Sequence, residues 1–211
     1  VPEGHNGYKF AKRDFKSLEG AISGLLSSDL ESRYLGWNAL HEMGVEKTQD
    51  ALMKLISDKD KIKRARAAWC LGKMPGAGKM VIDKISKDLD SDLRIVAIRL
   101  ARQLNSDVVN LITMLSNDKS PQVRRECAIA LRELDVEEVP KLWAKLALQH
   151  DGKDRWYLEA LGIAAEGKWD ECFKAWIGSG GQWNTKAGKD IVWRSRSKMA
   201  PELLVKIVKD P

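Results

Sequence analysis

The chain has 211 residues, with 36 Lys and Arg against 30 Asp and Glu, a formal charge of +6 and 31 % charged residues. That length supports one sizeable core or two small ones, and no apolar run approaches the roughly 18–20 residues of a membrane-crossing helix. A positive excess this small does not by itself imply a nucleic-acid or membrane partner, and six prolines with sixteen glycines are too few for a disordered or collagen-like chain.

Residues 1–16, VPEGHNGYKFAKRDFK, read as an N-terminal extension without the apolar centre of a secretory leader. Opening on Val1 rather than Met, the chain is expected to be a piece excised from a longer protein. Residues 17–211 are expected to form a single domain of helical pairs, at about 17–44, 48–74, 77–104, 106–134, 137–166 and 168–198. A further helix at 200–209, APELLVKIVK, would open a seventh unit. In the first helices the buried faces are Leu52 and Leu55, Ile82 and Ile85, Ile112 and Leu115, and Leu142 and Leu146. In the second helices a stripe runs through Leu93, Ala97, Leu100, Ala101 and Leu104, and thirty residues later through Val123, Cys127, Ala130, Leu131 and Leu134. That spacing is one face of an α-helix, not a strand. One column of the stripe is small (Gly36, Ala67, Ala97, Cys127), which lets helices approach closely. Polar turns such as SDKDK, LDSD and NDKSP join the pairs, and Pro121 suits the first position of a helix.

The repeat is clearest in the arginines. Arg33, Arg64, Arg94, Arg124 and Arg155 follow one another at 31, 30, 30 and 31 residues, and Arg194 comes 39 residues later, after the Gly-rich GSGGQWNTKAGKD. Four residues before them stand Asp29, Asp60, Asp90, Ser120, Asp151 and Asp190, residue types that cap helix N-termini. Asp58, Asp88 and Asp118 precede three of the arginines by six residues. A pair cannot bury its apolar face alone, so stacked pairs forming an all-α solenoid are the expected fold.

The thirty-residue period and the Asp-to-Arg offset resemble HEAT repeats. The resemblance implies a right-handed α-α superhelix of the HEAT/armadillo kind, with about six repeats and a ladder of Asp58–Arg64, Asp88–Arg94 and Asp118–Arg124. Ser27, Gln149 and Gly188 replace the acid in the first, fifth and sixth units. LHEMG, SPQVRRECAIALRE, QHDGKDRWYLEALGIAAEGKWD and KAGKDIVWRSRSKMAPELL resemble more closely the HEAT region of PVC-type haem-binding multidomain bacterial proteins, often labelled membrane-bound dehydrogenases. The similarity runs from Tyr8 to the C-terminus. In that family a propeller module usually precedes the repeats and a c-type cytochrome module follows, implying a periplasmic or cell-envelope setting. This chain has no C-x-x-C-H haem motif, so no redox role passes to any of its residues and no cofactor is expected.

Six of the eight tryptophans (Trp143, Trp156, Trp169, Trp176, Trp183, Trp193) fall in the last 69 residues. Trp143 lies in an apolar core column. Arg155, Trp156, Tyr157, Trp193, Arg194 and Arg196 make a candidate aromatic–cationic patch for a protein partner, with filling of an irregular end of the solenoid as the alternative. The arginine column is either a binding ridge or, the preferred reading, a structural ladder; Arg66, Arg99, Arg102, Arg125 and Arg132 read as solvated faces. Cys70, Cys127 and Cys172 read as buried thiols. The His41–Glu42 pair resembles a dyad of HEAT-repeat iron hydroxylases, but a site needs several dyads, and His5 and His150 have no ligand-like spacing, so no metal is expected. PGAGKM (75–80) lacks the spacing of a phosphate loop and reads as a turn. No catalytic residues are assigned. The expected function is a non-catalytic scaffold that docks proteins. The alternative is a nucleic-acid-binding protein like the HEAT-like alkylpurine DNA glycosylases, motivated by the basic charge and the indoles.

Overall fold

A computed structural model of the chain describes residues 3–4 and 13–209, and every regular element among them is helical. Most of the expected extension at 1–16, with His5 and Tyr8, therefore lies outside the described residues. Thirteen helices follow one another among the described residues. They are α1 (Leu18–Leu25) and α2 (Leu30–Met43), α3 (Val45–Ile56) and α4 (Lys61–Gly72), and α5 (Gly78–Ile85) and α6 (Ser91–Gln103). Next come α7 (Val108–Leu115) and α8 (Pro121–Leu131), α9 (Glu138–Ala147) and α10 (Arg155–Ala164), α11 (Trp169–Gly178) and α12 (Lys186–Arg194), then α13 (Ala200–Lys209). The protein is all-α. PGAGKM forms the turn into α5, with Gly76 at a φ of 80°.

Caps decide where the second helices start. The carboxylate of Asp29 accepts from the N–H groups of Glu31 and Ser32, that of Asp60 from Ile62, and that of Asp90 from Asp92. Each satisfies a first-turn N–H that has no partner inside the helix and sets negative charge at the positive end of the dipole. Ser120 stands in the same place before α8, followed by Pro121 at N1. Counting from these caps, Arg33, Arg64, Arg94 and Arg124 all occupy the fourth helical position, and Gly36, Ala67, Ala97 and Cys127 the seventh.

The last two arginines do not belong to that column. Helix α10 is capped by Asp154, not Asp151, so Arg155 is its first residue and Leu158 its fourth. Asp151 is caught one step earlier, its carboxylate accepting from the N–H groups of Lys153 (2.9 Å) and Asp154 (3.2 Å) in a loop where Gly152 adopts a φ of 70°. Helix α12 is capped by Thr185, not Asp190, which makes Lys189 its fourth residue and Arg194 its last.

Two compact units divide the chain, Val1–Val81 and Ile82–Pro211. In the first, α1 packs on α2 and α3 on α4. Gly36 has no room for a side chain: a Cβ there would fall 2.4 Å from the amide nitrogen of Leu25 and 2.5 Å from the carbonyl of Ala21. In the second, α6, α8, α10 and α12 pack in succession, as do α7, α9 and α11, giving two layers. Positions three, seven and ten of successive second helices fill the space between the layers: Leu93, Ala97 and Leu100 in α6, Val123, Cys127 and Ala130 in α8, and Tyr157, Leu161 and Ala164 in α10, all buried. Each large apolar side chain so buried contributes about 1.5–3 kcal/mol. Trp143 is fully buried and its indole N–H donates to the Leu161 carbonyl at 2.8 Å, as the core column requires. The ammonium of Lys168 donates to the carbonyls of Leu131, Arg132 and Leu134 and so closes the C-terminal end of α8.

Candidate docking site

The arginine column serves the fold. Three of its guanidinium groups reach back to the turn before their own helix: Arg33 Nη1 donates to the carbonyls of Ser27 and Ser28, Arg94 Nη1 to those of Asp88 (2.7 Å) and Leu89, and Arg124 Nη1 to those of Asp118 (2.6 Å) and Lys119. Within the expected pairs Asp88–Arg94 and Asp118–Arg124 the arginine thus binds the acid's backbone carbonyl. The carboxylate goes to the neighbour: Arg94 Nε and Nη2 meet Asp118 Oδ2 and Oδ1 at 2.6 and 2.8 Å, a bidentate bond between one helical pair and the next. Asp58 accepts from the Asp60 N–H and stands 3.9 Å from Lys63 Nζ. Each acid also folds its own turn, since Asp58, Asp88 and Asp118 accept from the N–H two residues on. Where the acid is missing, other groups take over: Ser27 Oγ accepts from Asp29 N–H, and Arg124 stands over the Tyr157 ring, 5.5 Å from its centroid.

Most of the further cations are held inside the chain. Arg99 Nη2 meets Glu126 Oε2 at 2.8 Å, Arg102 Nη2 meets Glu133 at 2.9 Å, and Arg132 Nη2 meets Glu166 at 2.8 Å. Arg125 stands 3.9 Å from Asp154, and Arg66 donates to the Ser27 carbonyl at 2.9 Å. Of these, Arg99 on α6 and Arg125 on α8, with Ile95, Ile129, Ile163 and Trp156, bound a groove of about 650 Å³.

The candidate patch divides in the structure. Tyr157 is not on the surface: it is buried at the third position of α10, its hydroxyl donates to the Leu146 carbonyl at 2.9 Å, and burial pushes its phenol up from the ordinary value. Arg196 turns onto the end of α12, donating to the carbonyls of Arg194 and Ser195. Trp156 and Trp193 are the two exposed indoles among the described residues, at 72 and 76 %. Trp156 borders the groove toward α8, while Arg155, Trp193 and Arg194 meet in a separate pocket of about 340 Å³ between α10 and α12.

Glu159, which sequence reasoning missed, lies between the two hollows and lines both. Its Oε2 accepts from Arg194 Nε at 3.1 Å, and its Oε1 is 3.8 Å from Arg155 Nε. Arg194 lies flat on α10 because residue 162 is glycine: a Cβ there would sit 2.4 Å from the guanidinium carbon. At the pocket's inner side His150 Nε2 meets Asp190 Oδ2 at 3.3 Å, and the imidazole stacks parallel to Tyr157. A spacing signal for Glu159 did exist, four residues after Arg155 on one helix face.

His41 stacks on Trp37 with ring centroids 4.8 Å apart, and burial lowers its pKa. No group of three or more His, Cys, Asp or Glu side chains placed to hold a metal occurs among the described residues, and no helix there is long and apolar enough to cross a membrane. The three thiols are buried. Compared with known proteins, the chain matches no family model, and no curated protein shows significant similarity to it. Fold and site together define an all-α protein with an aromatic, partly basic surface on α10 and α12.

Proposed function

We propose that the chain is a non-catalytic scaffold: a HEAT-type, right-handed α-solenoid of about six helical pairs that docks a protein partner through α10 and α12. The observation that carries this reading is the pair of indoles at Trp156 and Trp193, left 72 and 76 % exposed while Trp143 and Trp176 are buried. Exposed Trp beside Arg is the composition of binding hot spots, where one truncation commonly costs 2 kcal/mol or more, about thirtyfold in affinity. The resemblance to PVC-type haem-binding proteins supports a place among the modules of a larger haem-binding or dehydrogenase-like protein, in the periplasm or cell envelope, with this chain contributing no cofactor ligand.

The test is to express the neighbouring modules of the parent gene product separately and measure their binding to this chain by calorimetry. Trp156→Ala with Trp193→Ala should weaken binding at least tenfold while leaving the helical melt unchanged; unaltered affinity removes the patch as the docking site. The nucleic-acid reading draws on the charge of +6 and the exposed indoles. Against it stand Arg99, Arg102 and Arg132, each within 3 Å of a carboxylate. Duplex DNA that bound at roughly 50 mM salt and dissociated steeply as salt rose would favour that reading instead.

A further inference from the structure

Cations on the two sides of α10 differ in one respect. Toward α8 they are matched by carboxylates, whereas toward α12 the match is incomplete. The pocket between α10 and α12 carries Lys153, Arg155 and Arg194 against Glu159 and Asp190, three Lys and Arg side chains to two carboxylates. Arg194 takes Glu159, and Asp190 faces the buried His150. Lys153 has no carboxylate partner among the described residues. The Arg155 side chain is 85 % exposed and touches Glu159 only through Nε at 3.8 Å, leaving the Nη1 and Nη2 edge of its guanidinium open. Lys153 stands in, and Arg155 directly after, the tight loop that Gly152 makes against α12, where a Cβ would come within 3.2 Å of the Ala187 nitrogen. The apolar wall of the same pocket is Trp193, with Leu158 beneath.

From this we infer that the pocket receives an acidic segment of the docked partner: a carboxylate side chain bound by Arg155 and Lys153, next to an aromatic or aliphatic side chain packed on Trp193. The inference rests on the docking reading above and adds the chemistry of what docks. An open guanidinium edge recognises carboxylate in the bidentate way that Arg94 already shows with Asp118 in this molecule. A basic partner would meet the excess charge with the wrong sign, and a purely apolar one would bury Arg155 unpaired.

The experiment uses the full 211-residue chain, labelled with ¹⁵N, and two nine-residue Gly/Ser peptides with Glu-Phe-Glu or Lys-Phe-Lys at the centre. The indole N–H signal of Trp193, assigned through Trp193→Phe, is followed during titration. The acidic peptide should shift it saturably, the basic peptide should not, and Lys153→Gln with Arg155→Gln should weaken the effect at least tenfold. The other indole signals report that the variant remains folded. Equal shifts with both peptides, no shift at about 10 mM acidic peptide, where even millimolar binding would show, or undiminished binding by the double variant would each overturn the inference. Module docking that still fails in the Trp156→Ala, Trp193→Ala chain would leave the docking reading standing while the acidic specificity falls. A selective shift without module docking would do the reverse.

Discussion

At the scale of single residues the informative pair is Arg94 and Asp118. Their side chains are 9 and 7 % exposed, and the two bonds between them join one helical pair to the next. Burial alone would raise the Asp118 pKa, but the Arg94 bond, the Ser120 N–H and the Arg94 charge together hold it below the ordinary 3.8. A folded value below the unfolded one means that this stabilisation is complete above about pH 4 and is lost as pH falls through the folded value. Asp118→Asn leaves the Arg94 cation buried without its counter-charge and should cost about 3 kcal/mol. The check is a urea midpoint shift with an unchanged slope at pH 7, together with a gap between the variant and the parent that closes below pH 4. A gap independent of pH would show that the carboxylate's charge is not what stabilises. The participants were legible in the sequence, because both recur every thirty residues. Which acid meets which arginine was not, since a repeat leaves the same-pair and next-pair partners equivalent until the backbone carbonyl claims the nearer donor.

Elements were legible as far as their caps were unambiguous. Asp29, Asp60 and Asp90 each cap the helix expected of them, and Ser120 stands at the cap position of α8, its hydroxyl donating to the Gln122 side chain rather than accepting from the helix. At the fifth unit Asp151 and Asp154 compete, and a spacing of 31 residues favours the wrong one. What decides is the positive φ of Gly152, which consumes three residues in a loop before α10 can begin. The shift is why the Arg155 side chain points outward, 85 % exposed, and why Tyr157 rather than a smaller residue enters the core. Close packing offers a test at this scale. By helix propensity alone, Gly36→Ala in α2 should stabilise by up to about 1 kcal/mol. The added Cβ would instead fall 2.4–2.5 Å from the backbone atoms of Leu25 and Ala21, which cannot rotate away. Overpacking should win, at a net cost of about 2 kcal/mol by chemical denaturation; an increase in stability would show that α1 and α2 separate easily.

For the whole molecule the buried thiols are built-in reporters. Cys70 belongs to the first compact unit, Cys127 and Cys172 to the second. Burial pushes Cys70 and Cys172 up to about 12 and Cys127 higher still. At pH 8 a thiol with a pKa of about 12 is thiolate in only about one molecule in 10⁴, so labelling requires a prior opening of the surrounding helices. Each compact unit has its own set of internal contacts, so opening can be regional rather than global. Asp118→Asn weakens a bond internal to the second unit. It should therefore speed the modification of Cys127 and Cys172 by up to about 100-fold, the factor that 3 kcal/mol allows, while changing Cys70 several-fold less. Mass spectrometry of pulse-labelled protein resolves the three sites separately. Equal acceleration at all three would mean that the chain opens only as a whole, and that the thirteen helices of the described residues act as one cooperative structure despite the division into two compact units.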